Sequence, residues 1–392
     1  MPIPSDQPLT TFARTNFRDW RWVFGIKKTD RRFHMYVVGQ TGAGKTTMLE
    51  RMLTQDIHRG EGLALLDPHG DLVERLVAAV PAERRSDLIF FNPADPTCPY
   101  GFNPLAAVPP ERRSLAASGI LESFENLWSS AWGVRLEHIL RNSLLALLEQ
   151  PSASFVDIPR LYGEDRFRNA VVARVTNPEV RRFWTQEFAK MTPSARSQAV
   201  APILNKLGAF LTDPLVYRAV SADREHLDLR NTMDSGKLLL VNLAKGRLGG
   251  VNTATLGALL VSGLELAALS RAEIPEAERR DFYVYLDEFQ NFMTKSMATM
   301  LSELRKYRLC LILAHQFLGQ LSDEVRQSVL GNVGTVVSFR VGLEDAKHLE
   351  KLFAPVFVAQ DLVNLPNYEI YLRLMIDGQV SKGFSAETVG PT

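Results

Sequence analysis

The sequence predicts an α/β fold with a mostly parallel central sheet and an all-helical insertion, and three observations predict it. Short apolar runs stand apart along the 392 residues: "HMYVVG" (34–39), "GLALLD" (62–67), "DLIFFN" (87–92), "KLLLVNL" (237–243), "FYVYLD" (282–287), "LCLILAH" (309–315), "GTVVSFRV" (334–341) and "YEIYLRLMI" (368–376). Most are near-continuously apolar, which suits strands covered on both faces of a parallel sheet. Helical patterns such as "TTMLERMLTQDIHRG" and "TATLGALLVSGLELAALS" lie between many of them. Third, the stretch 111–232 offers helix after helix, among them "LEHILRNSLLALLEQ" and "RSQAVAPILNKLGAFL", with Pro151, Pro178, Pro193 and Pro214 near helix ends.

Three parts follow: an arm (1–32), a sheet domain (33–110 and 233–392) and an all-α insertion (111–232). The arm carries seven basic and two acidic residues from Arg14 to Arg32, interleaved with Phe17, Trp20, Trp22 and Phe24. Such interleaving can stack on single-stranded bases. It can also strap one subunit to the next with tryptophans as anchors, which is the favoured reading.

With 46% hydrophobic residues the chain can build a sizeable core. A net charge of +1 gives no global basic field, so any nucleic-acid contact must come from a local patch or an assembled surface. The two cysteines, Cys98 and Cys310, fit a reducing compartment, and Cys310 lies in an apolar run where an inert buried thiol is expected. No stretch reaches the roughly 18 uninterrupted apolar residues of a membrane span. The nearest, "LGALLVSGLELAAL" (256–269), carries Glu265, and no signal peptide is visible. These features predict a cytoplasmic protein without its own transmembrane segment.

Residues Gly39 to Thr46, "GQTGAGKT", satisfy the P-loop pattern, and an apolar run and an amphipathic helix flank it. The expected nucleotide-binding set is Gly39, Gln40, Thr41, Gly42, Ala43, Gly44, Lys45, Thr46 and Thr47. The glycines let backbone N–H groups turn inward on phosphate oxygens, the helix adds its positive end, and Lys45 reaches the β and γ phosphates. Thr46 would place its hydroxyl on Mg²⁺. A P-loop needs a carboxylate for that metal at the end of another buried strand, and "FYVYLDEF" supplies Asp287. The adjacent Glu288 is assigned as general base toward the attacking water.

"ELRKYRLCLILAHQ" adds a basic cluster before a strand and Gln316 at its far end. Gln316 can sense the γ phosphate of ATP. Arg305, Lys306 and Arg308 enter the strand at the opposite edge, so they meet a neighbour's nucleotide as an arginine finger or form a solvated helix end. For DNA, the favoured candidate is the glycine-rich "AKGRLGGVN" (244–252), read as a loop with Lys245 and Arg247 that contacts phosphates regardless of base sequence. An ordinary solvated loop is the competing reading. Asp67 in "DPHGD" receives no chemical step, and His69 has no second metal ligand at suitable spacing.

The order "GQTGAGKTT", "LLDPHGDL", "LDEFQNF", "LAHQ", with a helical insertion between the second and third, resembles the HerA/FtsK group of RecA-like motor ATPases. Within it the chain is most similar to the cytosolic part of type IV secretion coupling proteins, the conjugative DNA pumps; "EHILRNSLLALL", "LLVNLAKGRLG" and "LGNVGTVVSFRVGLEDAKHLEKLF" extend the likeness over most of the chain. The resemblance implies a RecA-like P-loop NTPase fold and a hexameric ring with ATP and Mg²⁺ between subunits and DNA in the channel. It implies Arg305 as the finger acting in trans, with Arg308 as the alternative. Coupling proteins usually begin with membrane-spanning helices and HerA-type proteins with a β-barrel, and this sequence shows neither. A separate membrane or relaxase partner at the inner face of the membrane, or a pump free in the cytoplasm, is expected. The competing functions are an ATPase that moves or remodels protein cargo and a nucleotide-dependent switch.

Overall fold

All eight apolar runs are strands in the computed structural model, which describes residues 9–128, 132–221, 223–293 and 301–390. Residues 1–8 of the expected arm lie outside the described residues. In chain order the strands begin with β1 (Leu9–Thr15), β2 (Val23–Lys27), β3 (Met35–Val38), β4 (Gly62–Asp67), β5 (Leu88–Phe91), β6 (Tyr100–Gly101) and β7 (Glu225–His226). They continue with β8 (Leu238–Asn242), β9 (Phe282–Leu286), β10 (Leu309–His315), β11 (Thr335–Ser338), β12 (Glu369–Arg373), β13 (Met375–Ile376), β14 (Gln379–Val380) and β15 (Phe384–Thr388).

The chain divides into two compact units. The first comprises Met1–Phe90, Arg230–Asn242 and Ala268–Thr392. Its sheet has the order β2-β1-β15-β12-β11-β3-β10-β9-β4-β8-β5. From β11 to β8 the strands run parallel. They are buried throughout, as continuous apolar runs require. β12, β15, β1 and β2 continue the sheet antiparallel. β12 alternates between buried and half-buried residues, the period-2 pattern of a strand with one covered face.

Residues 9–27, within the stretch read as an arm, are therefore two strands of this sheet. Phe12, Ala13 and Ile26 are buried in its core, and only the hairpin tip around Phe17, Trp20 and Trp22 is exposed. The basic residues that suggest an arm lie beside the alternation "LTTFART", too short to mark a strand by its period alone. Arg14 pairs with Glu387 of β15 at 2.7 Å, which places one of those charges in the sheet rather than on a ligand.

The second unit comprises Phe91–Leu229 and Leu243–Ala267, so it begins before the expected insertion, leaves residues 230–232 to the first unit and adds residues 243–267. It is mostly helical, with helices Arg113–Leu127, Val134–Leu148 and Pro193–Leu211, and the two-residue β6 and β7 pair in parallel. Phe183 and Trp184 of "RRFW" are buried while Arg181 and Arg182 are exposed, which is core packing with solvated arginines. Among the described residues the segment Gly250–Glu273 is long and apolar enough to cross a membrane by length and composition alone, with mean hydropathy 1.5, yet 72% of that window is buried in the protein. A core helix meets the same test.

One buried ion pair ties the first unit together. Arg31 donates to both carboxylate oxygens of Asp56, at 2.6 and 2.7 Å, and its guanidinium lies 3.6 Å from the Tyr283 ring centre. Tyr285 donates to the same carboxylate at 2.5 Å. The segment before β3, the helix Lys45–His58 and β9 are thereby clamped at one point. His34, also buried, holds the same region by two bonds: Nε2–H donates to the Leu301 carbonyl at 2.7 Å and Nδ1 accepts from the Leu311 amide at 3.0 Å. Those partners select the neutral Nε2-protonated tautomer, and burial pushes the imidazole down to about 4.

Removing one partner of a buried pair strands the other charge, so Asp56→Ala should lose about 3–5 kcal/mol of unfolding free energy in denaturant titration. A loss below about 1 kcal/mol would show that water reaches Arg31. His34 has a depressed folded value, so its contribution is present above the unfolded value of 6.5 and is lost as pH falls toward about 4. Stability should drop by roughly 3 kcal/mol across that window on account of this group, and His34→Gln should flatten the limb.

Candidate functional site

The loop Gly39–Gly44 joins the end of β3 to the helix Lys45–His58. Gly42 and Gly44 take left-handed backbone conformations, with φ of 77° and 119°. Gly44 is further required by crowding, since a Cβ there would lie 2.8 Å from the Tyr368 ring. A Cβ at Gly39 would collide with Phe339, which follows β11. The loop is pinned at three amides: Gly39 donates to the His315 carbonyl at 3.3 Å, Gln40 to that of Arg340 at 2.8 Å, and Tyr368 to that of Ala43 at 2.8 Å. The sequence assigns Phe339, Arg340 and Tyr368 no role of their own, and only their places within the runs 334–341 and 368–376 mark them.

The helix Lys45–His58 has no side-chain cap at Gly44 and no acidic residue in its first turn. Its leading amides therefore present an uncompensated positive end to the loop. Lys45 is buried, and its ammonium donates to the carbonyls of Gly39 and, at 3.3 Å, Gln40. Burial lowers its pKa, and the charges of Glu288 and Asp287 work in the opposite direction. Thr46 is exposed at the mouth of the loop.

The register of the parallel strands brings the carboxylates to the same end. Leu286 at the end of β9 lies beside Leu313 of β10, and His315 lies beside Val38, the last residue of β3. Asp287 and Gln316 thus leave adjacent strands next to the loop. Asp287 is buried and pushed up to about 6, first by burial and then by the charges of Asp67 and Glu288, with Lys45 and His69 opposing. Glu288 occupies a left-handed conformation (φ 49°, ψ 50°), uncommon for a non-glycine residue, and accepts from Gln290 at 2.8 Å. Such strain persists only where the surroundings over-determine it.

Asp67 acquires a role that the sequence did not disclose. One carboxylate oxygen accepts from the His69 amide at 2.8 Å, and the other from Leu72 at 3.0 Å and Val73 at 3.2 Å. It orders the turn after β4 and the start of the helix Asp71–Ala79, and its charge bears on Asp287. His315 is buried, with Nε2 against the Tyr36 hydroxyl at 2.6 Å. No group of three or more potential metal-ligating His, Cys, Asp or Glu side chains occurs among the described residues.

Arg305 and Arg308 sit elsewhere. They precede β10, whose seven residues carry the chain to the loop end, a distance of about 20 Å. Arg305 is exposed, with its guanidinium 3.5 Å from the Phe33 ring centre, while Arg308 is largely buried and faces Glu276 at 3.6 Å. The chain does not bring either arginine to its own loop. Lys245 and Arg247 belong to the second unit. Their segment is not an open loop: Lys245–Leu248 form one helical turn, and after Gly249 (φ 78°) the helix Gly250–Ser270 begins. Arg247 is exposed and Lys245 half-buried.

The model of the type IV secretion-system coupling protein DNA-binding domain family matches residues 24–355. No curated protein matches the sequence. Among solved structures, the bacterial conjugative coupling protein TrwBdeltaN70, trigonal form in complex with sulphate, is similar with a TM-score of 0.68 at 18% identity, over 94% of this chain and 86% of that one. The plasmid coupling protein TrwB in complex with the non-hydrolysable ATP analogue ADPNP gives 0.66 at 18% identity, over 93% and 86%. VirB4 of Thermoanaerobacter pseudethanolicus gives 0.63 at 13% identity, over 99% and 98%. At these identities the likeness is one of fold, a RecA-like P-loop NTPase sheet. A family match that runs from the first sheet hairpin past the helix after β11 covers the loop, the carboxylates and the helical unit together, and the chain belongs to the type IV secretion-system coupling protein DNA-binding domain family.

Proposed function

We propose that this protein is an ATP-driven DNA translocase whose sites are completed between subunits of a ring, and that it serves type IV secretion or conjugation.

 In this reading an isolated subunit holds the nucleotide but lacks the arginine that completes hydrolysis. The carrying observation is one of direction. Lys45, Asp287 and Glu288 gather at the C-terminal ends of β3 and β9, while Arg305 is exposed at the opposite end of β10, between them. Parallel strands cannot fold that arginine back onto the loop, so a neighbouring copy is the natural recipient.

The residues present fit ATP and Mg²⁺. The uncapped helix start and the left-handed glycines make an anion cradle, and the solved TrwB complexes with ADPNP and with ADP and Mg²⁺ support that choice. Bound nucleotide with its metal supplies the phosphoanhydride bond and a divalent charge. Toward it, Lys45 would exchange loop carbonyls for phosphate oxygens, Thr46 and Asp287 would hold the metal's shell, and Glu288 would take a proton from water. Gln316, beside Gly39, reports on the γ phosphate. Gly39 through Thr47 form the cradle, and Arg305 enters from the neighbour.

The DNA part of the proposal draws on the family's DNA-binding description and on Lys245 and Arg247 of the second unit. Two charges on one helical turn suit phosphate contacts that ignore base sequence and weaken with salt.

ATP hydrolysis measured against protein concentration, with and without single- and double-stranded DNA, tests the proposal. Turnover should rise cooperatively with concentration and increase with DNA. Lys45→Ala and Glu288→Gln should each reduce it at least about 100-fold. Turnover unaffected by either form of DNA would favour protein cargo or a switch instead.

A further inference from the structure

Phe33 and His34 sit at the N-terminal end of β3, the strand whose other end carries the phosphate loop. Both engage the segment that bears Arg305. The Arg305 guanidinium carbon lies over the Phe33 ring, 3.5 Å from its centre. His34 joins the Leu301 carbonyl, four residues before Arg305, to the Leu311 amide, six residues after it. It does so from a left-handed backbone conformation (φ 63°) that a non-glycine side chain rarely adopts. The Phe33 carbonyl is itself fixed, accepting from the Gly334 amide at 2.6 Å.

Arg308 behaves differently. Its side chain is 15% exposed and faces Glu276 at 3.6 Å, so a carboxylate already occupies its charge. Arg305 has an aromatic face as its partner instead, which orders a guanidinium while leaving its N–H edge free for an anion. The two arginines share a cavity of about 450 Å³ with Arg32, Phe33 and Glu276.

We infer that Phe33 is a positioning residue that presents Arg305 to the adjoining subunit's nucleotide, with His34 fixing the segment on either side. This inference rests on the finger reading given above. It also selects Arg305 over Arg308. Because the bracket is built on β3, one strand holds a subunit's own phosphate loop at one end and, at the other, the arginine it lends.

The test is ATP turnover by the assembled full chain in the presence of DNA, for Phe33→Leu, Phe33→Met, Phe33→Trp, Arg305→Ala and the Phe33→Leu/Arg305→Ala double variant. Leucine and methionine keep an apolar side chain without a ring face, and tryptophan keeps the face. Phe33→Leu and Phe33→Met should lower kcat about tenfold with KM unchanged, and Phe33→Trp should restore it. The double variant should be no slower than Arg305→Ala. If Arg305→Ala is slow but both Phe33 variants without the ring turn over normally, the positioning role is wrong and the finger survives. If Phe33→Trp is as slow as Phe33→Leu, or the double variant loses a further tenfold, Phe33 acts through the fold and not through Arg305. Parental turnover by Arg305→Ala would overturn the finger reading itself.

Discussion

The direction of the parallel strands is the constraint on which the rest of the structure depends. β3, β10 and β9 all run the same way, so every residue that follows them emerges at one end and every residue that precedes them at the other. The phosphate loop, Asp287, Glu288 and Gln316 share the first end, and Phe33, His34, Arg305 and Arg308 the second. The separation of about 20 Å is set by backbone geometry, and no side-chain rearrangement spans it.

Around that axis the buried polar groups hold the two ends in register. Arg31 and Asp56 clamp the residues before β3 to the helix that follows the loop, with Tyr285 of β9 on the same carboxylate. At the loop end, burial and then the neighbouring carboxylates push Asp287 up to about 6, and the left-handed Glu288 departs from relaxed backbone. The proposed binding of a nucleotide and its cation draws on these opposed charges and this local strain.

Much of this was legible from residue order. Buried parallel strands leave continuous apolar runs, and the glycine spacing of the loop follows from backbone amides that must converge, so both announce themselves. The β1–β2 hairpin does not, because its alternation is short and basic residues surround its apolar positions, although Phe12 and Ala13 are core residues. The glycines around Lys245–Leu248 give that turn the composition of an open loop, and the long helix beginning at Gly250 follows it directly. Asp67 was visible as a conspicuous carboxylate, but its three backbone donors come from residues two to six positions later and depend on the turn geometry. The Phe33–Arg305 stack joins residues 272 positions apart in number, a pairing only the folded sheet creates.

Subunit mixing tests the central claim, that each site takes its loop from one chain and its arginine from another. Lys45→Ala and Arg305→Ala proteins would be assayed for ATP turnover separately and then unfolded, mixed in equal amounts and reassembled. The account predicts two inactive proteins and a mixture that recovers about a quarter of parental turnover, the fraction of interfaces that pair an intact loop with an intact arginine. A mixture no more active than its parts would contradict it.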